Sequence, residues 1–162
     1  MKAIRIAITL LFVLAATAAF AASAAQKSFD DLKALDGTWE GKDMNGEPIQ
    51  ISYKVTSSGS ALMSEITGKE NMISMFNLDG DRLLMTHYCA VGNQPRMVAS
   101  PSPDGKTFTF SFLDATNLAT PDAAHMHRLV ISMPDANHHT EEWVFTDHGK
   151  EMKEVFDLQR KK

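Results

Sequence analysis

The chain is poor in the features that usually reveal a protein's chemistry. It has one cysteine, Cys89, among 162 residues, so no internal disulfide can form. Cys89 is also far from the amino terminus, which excludes a lipid anchor on an N-terminal cysteine. No cluster of lysine and arginine breaks an acidic balance of -4, and Arg160-Lys161-Lys162 is too short to give a nucleic-acid footprint. There is no Gly-x-Ser-x-Gly elbow, no glycine-rich phosphate loop and no His-Glu-x-x-His helix, which leaves the common hydrolase, nucleotide and zinc-protease signatures unmet. Beyond the first 25 residues there is no long apolar run, no repeat and no low-complexity tract.

The beginning of the chain has the form of a targeting segment. Lys2 and Arg5 give a basic start, Ile6 to Phe20 are apolar, and small residues follow as Ala-Phe-Ala at 19–21, Ala-Ser-Ala at 22–24 and Ser-Ala-Ala at 23–25. We expect a cleaved signal peptide over 1–25, cut after Ala24 or Ala25, with Ala21 as a further option. An uncleaved membrane anchor would need about 20 apolar residues, reached here only by counting alanines and Ser23. The mature chain, 26–162, is then exported to the periplasm or secreted, without stable membrane insertion. Loss of Lys2 and Arg5 moves the formal charge from -4 to -6. Its length suits one domain, stabilised by its core alone.

Turn residues punctuate the mature region at Asn45-Gly46, Ser58-Gly59, Gly68-Lys69, Asp79-Gly80, Gly92-Asn93, Asp104-Gly105, Asp135-Ala136-Asn137 and His148-Gly149. Between them apolar residues alternate, as in Ile49, Ile51, Tyr53 and Val55, or Phe108, Phe110 and Phe112, or Leu129, Ile131 and Met133. This rhythm predicts an all-β fold of about ten antiparallel strands, over 38–44, 48–57, 60–67, 71–78, 82–91, 94–100, 106–113, 125–133, 139–147 and 150–159. A short helix precedes them, started by Ser28 with Asp31 and stopped at Asp36-Gly37. The segment Asp114–Ala124 is long for a hairpin.

A helix, then Gly37-Thr38-Trp39, then an up-and-down run of strands ending near Arg160, resembles the calycin superfamily. That group includes lipocalins, fatty-acid-binding proteins and haem-binding nitrobindin-like barrels. Ten strands suit the nitrobindin-like branch, or an uncharacterised relative, better than eight would. The resemblance implies an up-and-down β-barrel whose motif residues Gly37, Trp39 and Arg160 are structural. Trp39 would pack at the closed end, with Arg160 lying across its ring and bonded to the backbone near the helix. The alternative architecture is an open sandwich, with Trp39 a core residue.

Chemistry-bearing side chains concentrate in two places. Alternation with Leu83 and Met85 places His87 and Cys89 on the inward face of a hairpin that continues through Asn93 and Arg96. His125 and His127, two apart on a strand, would face inward together and could share a metal, with His87, Glu154 or Cys89 available to complete a site. Tyr53, His87, Cys89, Asn93, Arg96 and His127 are therefore the expected ligand-contacting residues, and His125 with His127 the candidate metal pair. Of ten methionines, nine lie beyond Met1 and are dispersed, which suits filling an irregular cavity better than chelating copper. His138-His139 reads as surface, and Glu141-Glu142 as carboxylates on opposite faces.

These readings favour an exported, non-enzymatic protein that holds a small, largely apolar molecule inside a barrel. The alternatives are a haem- or transition-metal-binding barrel using interior histidines, or a small hydrolase or isomerase using His87 with Tyr88, Cys89 or Arg96. A partner-binding domain has no patch in the sequence to argue for it.

Overall fold

The computed structural model describes residues 23–162. The expected signal segment, all but its last three residues, lies outside this range. Ten strands form one closed antiparallel barrel in which each strand pairs with its sequence neighbours and β1 pairs with β10. The strands are β1 (Gly37–Lys42), β2 (Pro48–Thr56), β3 (Ala61–Thr67), β4 (Met72–Asp79) and β5 (Arg82–Tyr88), then β6 (Gln94–Pro101), β7 (Thr107–Thr116), β8 (His125–Asp135), β9 (His138–Asp147) and β10 (Lys150–Arg160). Closure removes the sheet edges that an open sandwich would expose, and it excludes that alternative.

Among the described residues one α-helix, α1 (Ala24–Leu32), precedes the barrel and runs into a 3-10 turn over Lys33–Leu35. It starts earlier than expected. The cap is Ser23, whose hydroxyl accepts from the Gln26 amide at 3.1 Å, and Ser28 is instead buried inside the helix. Ala25, Ser28, Phe29 and Leu32 are buried at i, i+3, i+4 and i+7, so one stripe of the helix packs on the barrel. Strand bounds follow the expected ones within about three residues, because turn chemistry sets them.

The closed end is built around Trp39. Its indole Nε1–H donates to the Leu35 carbonyl at 2.7 Å, and the Arg160 guanidinium lies 4.2 Å from its ring centroid. Arg160 also donates to three carbonyls: Ala34 at 2.7 Å, Asp36 at 2.8 Å and Ala136 at 2.9 Å. These carbonyls belong to the helix exit and the β8–β9 turn, so one side chain ties both to the last strand. The glycines flanking Trp39 are required by close approach. A Cβ at Gly37, where φ is +126°, would sit 2.9 Å from an Arg160 nitrogen, and one at Gly41 would sit 2.0 Å from the Asp157 carbonyl oxygen.

Above this end the interior is filled by Phe76, Phe108, Phe110, Leu129, Ile131, Leu158, Met85 and Met97, all almost fully buried. The opposite end carries the β1–β2, β3–β4, β5–β6, β7–β8 and β9–β10 connections and forms a mouth. Strand β7 runs on to Thr116, which shortens the expected long loop to 117–124. That loop is held down, with Asn93 Nδ2 donating to Ala124 O and Asn117 Nδ2 to Gly92 O, both at 2.7 Å, and the His148 amide donating to Asp122 O at 2.9 Å.

Replacing Arg160 by alanine removes the cation–π contact and three charge-assisted hydrogen bonds. We expect Arg160→Ala to lose about 2–4 kcal/mol in urea unfolding. Arg160→Lys should recover less than half of that loss, because an ammonium cannot span three divergent carbonyls while covering the indole.

Candidate functional site

Inside the barrel a polar belt crosses four strands at one level. Tyr53, Ser64, Ser74 and His87 are successive register partners on β2, β3, β4 and β5, and all four are buried. The Ser74 hydroxyl and His87 Nδ1 are 2.9 Å apart. Strand β9 completes the ring from the other side with His139, Glu141 and Trp143, which alternation turns inward.

Glu141 is fully buried and receives three donors. The Tyr53 hydroxyl donates at 2.5 Å and Trp143 Nε1 at 2.8 Å, and His139 Nε2 lies 3.2 Å away. Burial and the neighbouring Glu141 carboxylate together push the Tyr53 phenol well above its ordinary range, so it stays a donor. His139 stands edge-on to Trp39 with centroids 4.3 Å apart, and the His87 ring packs against Trp143 at 4.8 Å. Two nitrogens in this region have no partner: His139 Nδ1 and His87 Nε2. Desolvation pushes the His87 imidazole down to about 4, partly offset by Glu141, so it is neutral at ordinary pH.

The structure corrects several expectations. His139 is not at the surface, since it follows the same alternation that buries Trp143; His138 points out and pairs with Asp157 at 2.8 Å. Arg96 lies on the outer face in an ion pair with Asp114, because it alternates on β6 with the buried Pro95 and Met97. His125 and His127 do not face inward together. A bulge between Met126 and Arg128 leaves His125 buried, His127 exposed, and Met126 as the inward residue. Asn93 is buried, but its amide is spent on the Ala124 carbonyl. Tyr53 and His87 are interior as expected, and Gly37, Trp39 and Arg160 form the closed end. Cys89 is half-buried at the mouth, where burial pushes its thiol up.

Two lobes open at the mouth, of about 630 and 520 Å³, and share Asn45, Glu70, Met72 and Glu154. Ile49, Ile66 and Phe156 line the first; Cys89, Met126, Trp143 and Phe145 line the second. Met44, Val91 and Met152 form lips of the second lobe, and each is about half exposed or more. Asp43, Glu70 and Glu154 bring carboxylates to the opening. Desolvation first, then the charges of Asp43 and Glu70, raise the Glu154 carboxyl above its ordinary range, with Lys69 opposing. Trp143 is the link between regions, since one ring meets the mouth, His87 and Glu141.

This geometry tests the chemistries raised by the sequence. No histidine lines either lobe, and the free His87 nitrogen belongs to a fully buried ring packed against Trp143, so the residues present do not fit a histidine-ligated haem at the mouth. Among the described residues no three His, Cys, Asp or Glu side chains converge as a metal-binding group. Ser74 and His87 resemble a nucleophile and its base in distance alone, since both are buried away from either lobe. Tyr88 is half exposed and Arg96 is on the outer wall, so neither joins them.

The sequence reading missed the interior roles of Glu141 and His139 and did not single out Ser64, Ser74, Asp43 or Glu70; of the carboxylates at the mouth it named Glu154, as a possible metal ligand. The period-two pattern that selects Trp143 also selects His139 and Glu141, and it was the available signal. Compared with known proteins, the chain matches no family model and no curated protein. What the structure establishes, over the described residues, is a closed ten-strand antiparallel barrel with one short helix, consistent with a calycin-like fold.

The depressed His87 value carries a pH dependence of known sign. The unfolded chain takes up a proton near pH 6.5 and the barrel only near 4, so the unfolded state binds more protons between them. Stability contributed by this group is complete above that window and falls as pH is lowered through it, by on the order of 3 kcal/mol. Urea midpoints measured from pH 7 to 4 should drop less steeply in His87→Gln than in the wild type; parallel curves would reject the assignment. At constant pH, Tyr53→Phe should cost about 1–3 kcal/mol, because it strips a donor from a buried carboxylate.

Proposed function

We propose that this protein is an exported, non-enzymatic binder of a small, largely apolar molecule. The observation that carries this reading is the mouth: two joined lobes, each with apolar residues in its wall and the second with exposed apolar lips, each within the usual range of about 300–1,000 Å³ for ligand sites. The ligand sits in the mouth instead of the barrel centre, which side chains already fill. Dispersed methionines suit this role. Met44, Met72, Met126 and Met152 all border the lobes and adapt their shape to a flexible guest.

The carboxylates at the opening favour one kind of polar end. Desolvation, and then the charges of Asp43 and Glu70, already disfavour the charged form of Glu154 despite Lys69, so an amine or hydroxyl group on the ligand suits this edge better than a carboxylate. Export is part of the proposal and rests on the first 25 residues. The Ser23 cap favours cleavage after Ala21 over cleavage after Ala24 or Ala25, since only the first keeps it.

Native mass spectrometry of protein purified from its own host should reveal a copurifying molecule, and the intact mass should begin at Ala22. In titration, a long-chain alkylamine should change Trp143 fluorescence at lower concentration than the fatty acid of equal length. Met72→Trp, which fills the wall shared by both lobes, should weaken amine binding about tenfold or more while leaving the barrel folded. No bound molecule, together with no response to either amphiphile, would reject the reading.

A further inference from the structure

The bulge that separates His125 from His127 also brings their ring nitrogens together on the outer wall. The pairing of β7 with β8 ends at Ser111–Arg128, and beyond that point the two strands part. Phe112 fills the opening and contacts both imidazoles. Its ring is tilted against His125 at 4.5 Å and stacked on His127 at 5.5 Å with an interplanar angle of 18°. The two histidines are thus held by packing.

Their nitrogen chemistry is equally constrained. His125 Nδ1 lies 2.6 Å from the Ala123 carbonyl, which can only accept, so Nδ1 carries the proton and Nε2 presents its lone pair. This is the arrangement by which a backbone carbonyl fixes the tautomer and raises the basicity of a metal-ligating histidine. His127 Nδ1 lies 3.5 Å from that Nε2. The separation is long for a hydrogen bond, for which about 2.7–3.2 Å is usual. It is close to what one ion imposes, because two nitrogens bound at about 2.0–2.1 Å to a tetrahedral centre stand roughly 3.3–3.4 Å apart.

We propose that His125 Nε2 and His127 Nδ1 form a two-histidine site for a divalent transition-metal ion of the Zn²⁺, Ni²⁺ or Cu²⁺ class on the outer face of the barrel. Imidazole suits these ions, and the exposed side of His127 leaves positions for water. Glu151 borders the same small groove as His127, and through Thr146 it lies in the same cross-strand row as His125. The groove therefore carries a carboxylate and no lysine, although Arg128, paired with Glu142, borders it. The site is separate from the mouth, since neither histidine lines a lobe there. It does not depend on the proposed ligand.

Isothermal titration of the full-length exported protein with NiCl₂ and ZnCl₂ tests the site. The expected result is one ion per chain with micromolar affinity, and an affinity weakened about tenfold or more in His127→Gln. That variant alters an exposed residue and should melt like the wild type, which separates ligand loss from unfolding. His138→Gln and His148→Gln, which change the other outward histidines, should keep wild-type affinity. Binding no tighter than millimolar, or wild-type affinity in His127→Gln, would overturn the proposal.

Discussion

A carboxylate withdrawn from water must be given donors, and Glu141 receives them from two sides of the barrel. Tyr53 reaches it from β2, while Trp143 and His139 reach it from its own strand. Leaving such a group unpaired costs several kcal/mol, so the register of β9 against the rest of the barrel is constrained by this one residue. A one-residue slip would turn Glu141 out and carry His139 and Trp143 with it.

From Glu141 a continuous set of contacts runs both ways. Toward the closed end, His139 meets Trp39, and Arg160 covers Trp39 while holding three carbonyls. Toward the mouth, Trp143 meets His87, which is paired with Ser74, and its other surface borders the lobe where a ligand would rest. The closed end and the mouth are therefore joined by packed aromatic and polar groups. The buried polar belt explains how a chain without disulfides specifies one strand register. The apolar core supplies most of the driving force, while the belt penalises alternatives.

The architecture was largely legible in the sequence because turn residues and alternation are local signals. Asn45-Gly46, Asp79-Gly80 and Asp104-Gly105 each mark a connection, and the apolar runs between them are strands. Trp39 and Arg160, 121 positions apart, were legible only through resemblance to a known barrel. The site was less legible. Alternation correctly turned His87 and Tyr53 inward, but it failed at His127, where a bulge shifts the phase by one residue; at Arg96 the expectation overlooked alternation, since the buried neighbours Pro95 and Met97 turn that side chain out. A bulge is invisible to a period-two reading, since the extra residue looks like any other. His139 was misread because it borders a turn, and proximity to a turn is a poor guide to exposure when the strand begins at once.

The sequence alone determined the number of strands, their order and their turns, because these follow from residue-by-residue preferences. It also determined which side chains were available: one thiol, six imidazoles and dispersed thioethers. Tertiary structure decided which of them meet. Only closure of β1 on β10 brings Trp39 beneath Arg160, and only that closure sets Tyr53 against Glu141, 88 residues away. Only the packed interior moves the available space to the mouth, and only the β8 bulge puts His127 outside beside the buried His125. Each outcome depends on distances between residues remote in the chain, which local preference cannot encode.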